Sequence, residues 1–361
     1  GVVSHSNVNV ELAGNSAEGA LTLSNDGHRM VQGTLAADAL DLTPYVSGIR
    51  LLAKNERNWD QLPIVLDGFG DINLDLRLSA ASIKISGARL GRTAVAANMR
   101  DGKFDLTIGE VQAFGGVAKG SLGFASADNG IAATSHLQFL DVDLEDCLSQ
   151  VFGVHKLEGR GNLAVNLDGS GHTVMAVTHA LNGTATLNAQ SGALTGINVE
   201  QLLRRLERRP LSGNGDFRTG RTPFDQLVIS LKIDQGMVSV DDMHIDGPAV
   251  RLAVTGQASV PTRDLDLKGV ATLVSTTTSN EFELPFVVQG TWDDPIMLPD
   301  PQSLIRRSGA AAPLLDAVKP HNASDAVRSV IDQLLASPPT PAASAPTVSP
   351  ASTTAAPKAS Q

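Results

Sequence analysis

The chain has 361 residues, a net charge of −10, 42% apolar and 4% aromatic residues, and a single cysteine, Cys147. The acidic balance argues against nucleic-acid binding, which needs a dominant basic face, and one thiol excludes an intrachain disulfide framework, a CxxC redox pair and a multi-cysteine zinc site. Few charges and aromatics, with 34 Gly, point to repetitive β structure rather than a helical bundle. No window approaches the ~18 apolar residues of a membrane span. The chain opens Gly1-Val2-Val3 with neither Met nor signal peptide, so it reads as the soluble part of something longer whose N-terminal anchor or signal is missing.

Period-2 alternation dominates from the start. Val8, Val10 and Leu12 alternate with Asn7, Asn9 and Glu11. Shorter versions follow at Leu21/Leu23 and Ile83/Ile85. Between these lies the clearest strand, Asp71 to Leu78, with Ile72, Leu74, Leu76 and Leu78 on one face. Phe104, Leu106 and Ile108 repeat the pattern, as do Leu163, Val165 and Leu167, then Leu227, Ile229, Leu231 and Ile233. Side chains alternate across a strand, so each segment has one apolar and one wet face. Turn signals separate the strands: Asn25-Asp26-Gly27, Asp101-Gly102, Asp128-Asn129-Gly130, Asn182-Gly183, Asp234-Gln235-Gly236 and Asp246-Gly247. Strands joined by short turns are antiparallel, and an antiparallel meander with one apolar face must hide that face.

Three helices interrupt the strands, introduced by Leu40-Asp41-Leu42-Thr43, Val142-Asp143-Leu144-Glu145 and Ile197-Asn198-Val199-Glu200. Asp or Asn there fits an N-cap, and Asn198 with Gln201 resembles a capping box. Val199, Leu202, Leu203 and Leu206 then share one helix face. After Pro301 the alternation stops. Ser324-Asp325 caps an amphipathic helix carrying Val327, Val330, Ile331, Leu334 and Leu335. Residues 337–361 are rich in Pro, Ala, Ser and Thr and read as disordered.

No catalytic constellation survives inspection. Gly159-Arg160-Gly161-Asn162-Leu163-Ala164 fits a GxGxxA string, but a strand follows it at once, so it reads as a glycine turn before a strand. Asp141, Asp143, Glu145 and Asp146 lack the central Gly of a calcium loop and suit a helix N-terminus. The eight histidines are scattered, and Asp293-Asp294-Pro295 reads as a turn. Arg204, Arg205, Arg208 and Arg209 form the one basic run, with two readings: the wet face of the third helix, or a contact for lipid headgroups. The sequence calls for no cofactor and no metal.

Several strings from about 110 to 300 occur in a telling order. They are Gly115-Gly116-Val117-Ala118-Lys119-Gly120, Leu157-Glu158-Gly159-Arg160-Gly161, Leu181-Asn182-Gly183, and Ser191 through Asn198. Thr222-Pro223-Phe224-Asp225 and a closing strand, Leu284 to Trp292, follow. In this order they resemble the C-terminal region of the AsmA family of Gram-negative envelope proteins, related to TamB- and YhdP-type proteins. The resemblance implies a long curled antiparallel sheet, a half-pipe with an apolar floor. It also implies an inner-membrane tether through an N-terminal helix, projection through the periplasm, and a role in phospholipid movement and outer-membrane homeostasis. It brings no catalytic residues.

The expected fold is therefore mainly β: an elongated, curled antiparallel sheet with a few short helices. Residues 1–110 form the first part of the groove and 111–300 the AsmA-like part; 301–336 are helical and 337–361 a tail. The groove candidates are Ile72, Leu74, Leu76, Leu78, Phe104, Leu106, Ile108, Leu163, Val165, Leu167, Leu227, Ile229, Leu231 and Ile233. Few bulky aromatics fill the middle of the alternating pattern, which suits a groove for acyl chains. The expected partner is phospholipid, together with the inner membrane and other envelope proteins. The alternatives are a structural scaffold with a filled core, and an enzyme acting on carbohydrate, which would want paired carboxylates and aromatic platforms.

Overall fold

One-sided alternation leaves every strand with an apolar side it cannot bury alone, so strands must associate before that side can be covered. The computed structural model describes residues 1–25, 29–46, 59, 61–64, 72–85, 88–128, 130–208, 220–274, 282–292 and 295–300. The chain divides into two units, Gly1–Arg307 and Ser308–Gln361. Every element below belongs to the first. The expected C-terminal helix and tail, Arg209 and the Asp293-Asp294 pair lie outside the described residues.

Seventeen strands form one open, curled sheet. They are β1 (Val2–Leu12), β2 (Asn15–Asn25), β3 (Arg29–Asp41), β4 (Ile72–Ile85), β5 (Ala88–Leu90), β6 (Thr93–Arg100), β7 (Lys103–Ala113), β8 (Gly116–Ala127) and β9 (Gly130–Asp143). Then come β10 (Leu157–Gly171), β11 (Asn182–Thr195), β12 (Arg221–Asp234), β13 (Met237–Asp246), β14 (Val250–Ser259), β15 (Asp264–Leu273), β16 (Phe282–Thr291) and β17 (Ile296–Pro299). The helices are α1 (Thr43–Val46), α2 (Leu144–Phe152), α3 (Val174–His179) and α4 (Val199–Arg208). Neighbours in sequence are neighbours in the sheet, with β5 and β6 both along one side of β4. Among the described residues, β1 pairs only with β2 and β17 only with β16. The chain forms the mainly-β sheet expected from the alternation, curled as the resemblance implies.

Four connections are two-residue hairpin turns with positive φ at both positions: Ala13-Gly14, Asp101-Gly102, Phe114-Gly115 and Gln235-Gly236. This backbone matches the twist of paired strands. Three of the four begin with residues other than Asn or Asp, and the turn signals passed over Ala13-Gly14 and Phe114-Gly115.

Four sequence expectations need correction. Asn182-Gly183 is not a turn. It begins β11, where Gly183 sits between Leu167 and Ile233. A Cβ on Gly183 would run into the carbonyl of Asn166, at a φ of 141° that disfavours other residues. Gly159 and Gly161 likewise lie inside β10 rather than in a turn before it. A fourth helix, α3, was not foreseen in its Gly- and Thr-rich surroundings; Thr173 caps it by accepting from the Ala176 amide at 3.0 Å. Finally, β3 and β4 are parallel, Arg29 opposite Ile72 and Asp41 opposite Lys84. The chain must therefore travel back the full length of the strands between them.

That return connection ties distant strands together. The Ile64 amide donates to the His172 carbonyl at 2.8 Å, and Trp59 Nε1 donates to the Val260 carbonyl at 2.7 Å. The Trp59 ring meets Trp292 edge-on at 6.0 Å. The Arg263 guanidinium lies 5.8 Å from the Trp59 ring centre and 5.2 Å from that of Trp292. A connection leaving β3 thus reaches the ends of β10, β14 and β16.

At the other end of β3, Asp41 closes the strand and opens α1. Its Oδ1 accepts from the Thr43 amide at 2.9 Å, and Oδ2 pairs with Lys84 Nζ at 3.1 Å. The hydrogen bond from the Thr43 side chain, then that from its amide, then Lys84, hold the carboxyl at about 2 against an ordinary 3.8. A lowered pKa means that these interactions are intact above 3.8 and are lost as pH falls toward 2. An NMR titration of the Asp41 carboxyl is expected to show this low midpoint. Thr43→Val should move it toward 3.8 by more than Lys84→Met does, following the order of causes.

The same fold logic makes Gly183 a sensitive position. Gly183→Val is expected to destabilise by roughly 1–3 kcal/mol from backbone strain alone, with further loss from the clash, read as a lower denaturant midpoint. Val238→Ala, a truncation two strands away on β13 that leaves its backbone unstrained, is the comparison.

Candidate functional site

Strand register lays the aliphatic positions of successive strands side by side. One row runs Leu35–Leu78–Val95–Ile108–Gly120 across β3, β4, β6, β7 and β8. The next runs Gly33–Leu76–Ala97–Leu106–Leu122, and a third Val31–Leu74–Met99–Phe104–Phe124. No Asp, Glu, Lys or Arg occupies any of these positions. Phe104 and Phe124 stack at 6.4 Å between ring centres. We call this side of the sheet the inner face, because α2, α3 and α4 also lie on it.

The rows continue into β9–β16, where their surroundings change. Ile108 leads through Gly120 and Leu137 to Val165, Ala185 and Leu231. Here α2 and α4 cover one end of the strands. Val142, Leu144 and Cys147 are fully buried, as is Leu203 of α4, and they join one core with Phe139, Leu163, Leu187, Leu227, Leu252 and Leu284. Burial pushes the Cys147 thiol up to about 11, so it is an inert core residue. At the opposite end of β10, Gly169 and Gly171 let α3 approach; a Cβ on Gly171 would lie 2.7 Å from the Val177 amide nitrogen.

The inner face thus has two regions. Of the fourteen groove candidates, Leu163, Val165, Leu227 and Ile233 are buried. Ile229 and Leu167 are half-buried and pack against the helix-covered core, and Leu231 is half-buried. Ile72, Leu74, Leu76, Leu78, Phe104, Leu106 and Ile108 are all half-buried and lie together on β4 and β7. On the inner face of β2–β8, the packed residues among those described are a small cluster of Leu40, Ala80 and Ile83, buried Ala17, Val111 and Ala113, and Ala118 against the helix-covered core. The sequence pattern did not distinguish the two regions.

Local chemistry positions the covering helices. Asp143 Oδ1 caps α2 by accepting from the Asp146 amide at 3.0 Å, and Gly153 closes it in the left-handed conformation. Asn198 Oδ1 accepts from the Gln201 amide at 2.9 Å. The Thr222 hydroxyl is buried; it accepts from the Val199 amide at 3.0 Å and donates to the Ile197 carbonyl at 2.8 Å. The Thr-Pro-Phe string therefore has a mechanical role: Thr222 fastens the first turn of α4 while Phe224 enters the core. Of the basic run, Arg204 pairs with Glu200 at 2.8 Å, and Arg204, Arg205 and Arg208 are exposed on the wet face of α4.

The outer face is polar. Arg160 grips the bulge at Asp141, whose φ is 49°, through Nε and Nη2 at 3.0 Å each, with Nη2 also on the Gly115 carbonyl at 3.0 Å. The guanidinium holds the Asp141 carboxyl below its usual range. Arg160 and Asp141 border a shallow depression with Asn162, Asn188 and Gln226. Among the described residues, no group of three or more His, Cys, Asp or Glu is placed to hold a metal, and no helix is long and apolar enough to cross a membrane.

A model of the AsmA family matches residues 48–243, more than half of the chain. The chain belongs to the AsmA family. The match begins earlier than the string of motifs suggested, taking in β4 to β8, and ends within β13. No curated protein and no solved structure matches the chain. Membership of this family makes it a bacterial envelope protein.

Thr222→Val is expected to strand the Val199 amide and the Ile197 carbonyl in the core, at a cost of about 1–3 kcal/mol. Thr222→Ser keeps the hydroxyl and should stay within about 1 kcal/mol of the parent. Urea unfolding of the three proteins checks both expectations.

Proposed function

We propose that the chain is a non-enzymatic envelope protein whose open inner face, on β2–β8, binds the acyl chains of phospholipid and guides them between inner and outer membranes. The observation that carries this reading is a continuous aliphatic surface, half-exposed in the folded protein and without a charged side chain. From β2 to β8 it crosses five inter-strand spacings, about 24 Å, against the ~15 Å half-thickness of a bilayer's hydrocarbon core. An acyl chain lying across the strands is thus accommodated along its length. Each methylene taken from water contributes about 0.8 kcal/mol, so binding needs no polar motif. Headgroups stay at the rims, where Arg29, Arg100 and Lys103 lie beside the inner rows. The tether to the inner membrane and a periplasmic location belong to the same proposal.

The helix-covered core of β9–β16 favours a second reading, a structural or assembly scaffold for outer-membrane proteins. One experiment separates them. Organic extracts of the purified protein are analysed by mass spectrometry, alongside far-ultraviolet circular dichroism, for the parent and four variants. Leu76→Asp and Leu106→Asp should lower bound phospholipid several-fold and leave the sheet folded, because a carboxylate on the open face reaches water. Leu227→Asp buries an unpaired charge and should unfold its region. Asp75→Leu, on the outer face, should change neither reading. A lipid-free parent, or unfolding by Leu76→Asp and Leu106→Asp as well, leaves the scaffold.

A further inference from the structure

Two bulges shape the depression on the outer face. In β9, Leu140 and Asp141 lie opposite Asn162 alone, since Gly161 pairs with Val142 and Leu163 with Phe139. In β11, Ser191 and Gly192 lie opposite Gly159 alone, between the pairs Glu158–Ala193 and Arg160–Gln190. Asp141 and Ser191 take left-handed backbone, with φ of 49° and 55°. Aspartate tolerates that conformation through local hydrogen bonds; serine adopts it at a cost, and such strain gathers at binding sites. Bulges re-aim the side chains of the sites they border. Here they border a depression of about 420 Å³, within the range of small-molecule sites.

Its walls carry amides. Asn162 lies opposite Asn188, and Gln190 opposite Gln226, and all four line the depression. Asn162 Oδ1 accepts from the Asp141 amide at 2.9 Å, which leaves the Asn162 NH2 group to donate. The side chains of Asn188, Gln190, Ser191 and Gln226 have no hydrogen-bond partner among the described residues. Elsewhere on the outer face polar neighbours satisfy one another, as His136 and Asn166 do at 3.1 Å and Gln289 and Asp266 at 3.2 Å. Gln190 and Gln226 stand side by side in the register and make no such bond.

The chemistry of the lining selects a ligand class. Arg160 is its one cation and Asp141 its one carboxylate, and the two neutralise each other through Nε and Nη2. An anion therefore meets no free charge. Ala189 and Leu227 also border the depression, but both are buried residues of the inner face and give it no apolar pocket. Acyl chains and apolar peptide side chains thus have nothing to fill. β10 and β11 are paired along both sides, so no strand edge is offered to a peptide. What remains is a set of neutral groups that donate and accept hydrogen bonds, the match for neighbouring hydroxyls. A lone carboxylate lacks the partner that glycosidic cleavage needs.

We infer that this depression is a saccharide-binding site: it takes a neutral sugar whose neighbouring hydroxyls bond to Asn162, Asn188, Gln190, Ser191 and Gln226, and holds it without cleaving it. The site lies on the face opposite the aliphatic rows. It does not depend on phospholipid, and its test reads bound sugar rather than bound lipid.

Saturation-transfer NMR of the full chain is run with maltotriose and, separately, with triacetylchitotriose. Saturable binding of one or both is expected. No aromatic ring lines the depression, so the dissociation constant should be on the order of millimolar. Asn188→Ala, Gln190→Ala and Gln226→Ala should each weaken binding several-fold, and Asn188→Ala with Gln190→Ala at least tenfold. Their far-ultraviolet spectra should stay as in the parent, since all three side chains are exposed. Gln257→Ala removes an exposed amide of β14 outside the depression and should leave binding unchanged. Absence of saturable binding for both sugars overturns the proposal. So does binding that survives the double variant, an equal loss with Gln257→Ala, release of shorter sugars, or displacement by inorganic phosphate at the sugar's own concentration, which marks an anion site.

Discussion

An apolar face running across an open sheet is the constraint on which the rest of this protein depends. Antiparallel pairing satisfies backbone hydrogen bonds but leaves the inner side chains of every strand in water. The chain covers part of that face with helices, and strand direction fixes where they sit. β9 and β11 run the same way, so α2 and α4, which follow them, fall at one end of the sheet. β10 runs the other way and places α3 at the opposite end. Inserting a helix after alternate strands therefore builds a roof over β9–β16 from one edge of the meander. From β5 to β8 the strands follow one another through short turns, and among the described residues no helix covers their inner face as α2 and α4 cover β9–β16.

The curl depends on small residues and on one long connection. Gly33, Gly120 and Gly183 lie on inner rows where neighbouring backbone leaves no room for a side chain. The parallel pairing of β3 with β4 forces a connection the length of a strand. That connection is anchored to β10 through Ile64 and to the far strands through Trp59, Arg263 and Trp292. Local turn chemistry sets each hairpin, whereas this contact between residues about two hundred positions apart holds non-adjacent strands in relation to one another.

Much of this was legible in the sequence, because strands obey a two-residue rule that a reader can apply locally. The alternation at Ile72–Leu78 and Leu227–Ile233, the caps at Asp143 and Asn198, and the apolar face of α4 all require only near neighbours. What escaped was of two kinds. Some local signals carry the right conformation in unexpected residues, as with the positive φ of Ala13 and Phe114. Others depend on distant partners. Leu74 and Leu163 sit in equally good alternation, yet Leu163 is buried because α2 and its core neighbours come to rest nearby. Gly183 follows an asparagine, as a turn glycine does, yet it is needed where two strands pass too close for a Cβ.

Division of the inner face also separates stability from exposure. A sheet whose whole inner face was open would gain little from burial and would present an apolar patch prone to association. A sheet whose whole inner face was roofed would have no surface to offer a ligand. Here the core beneath α2 and α4 supplies cooperative burial, and the strands of β2–β8 continue the same hydrogen-bonded ladder beyond it. Their backbone order is thus supported from one side, with only the small cluster around Leu40, Ala80 and Ile83 as a core of their own among the described residues. No charged side chain lies in the three aliphatic rows, and a net charge of −10 opposes nonspecific clustering of copies. An aliphatic surface can then stay exposed on β2–β8 beside a packed core.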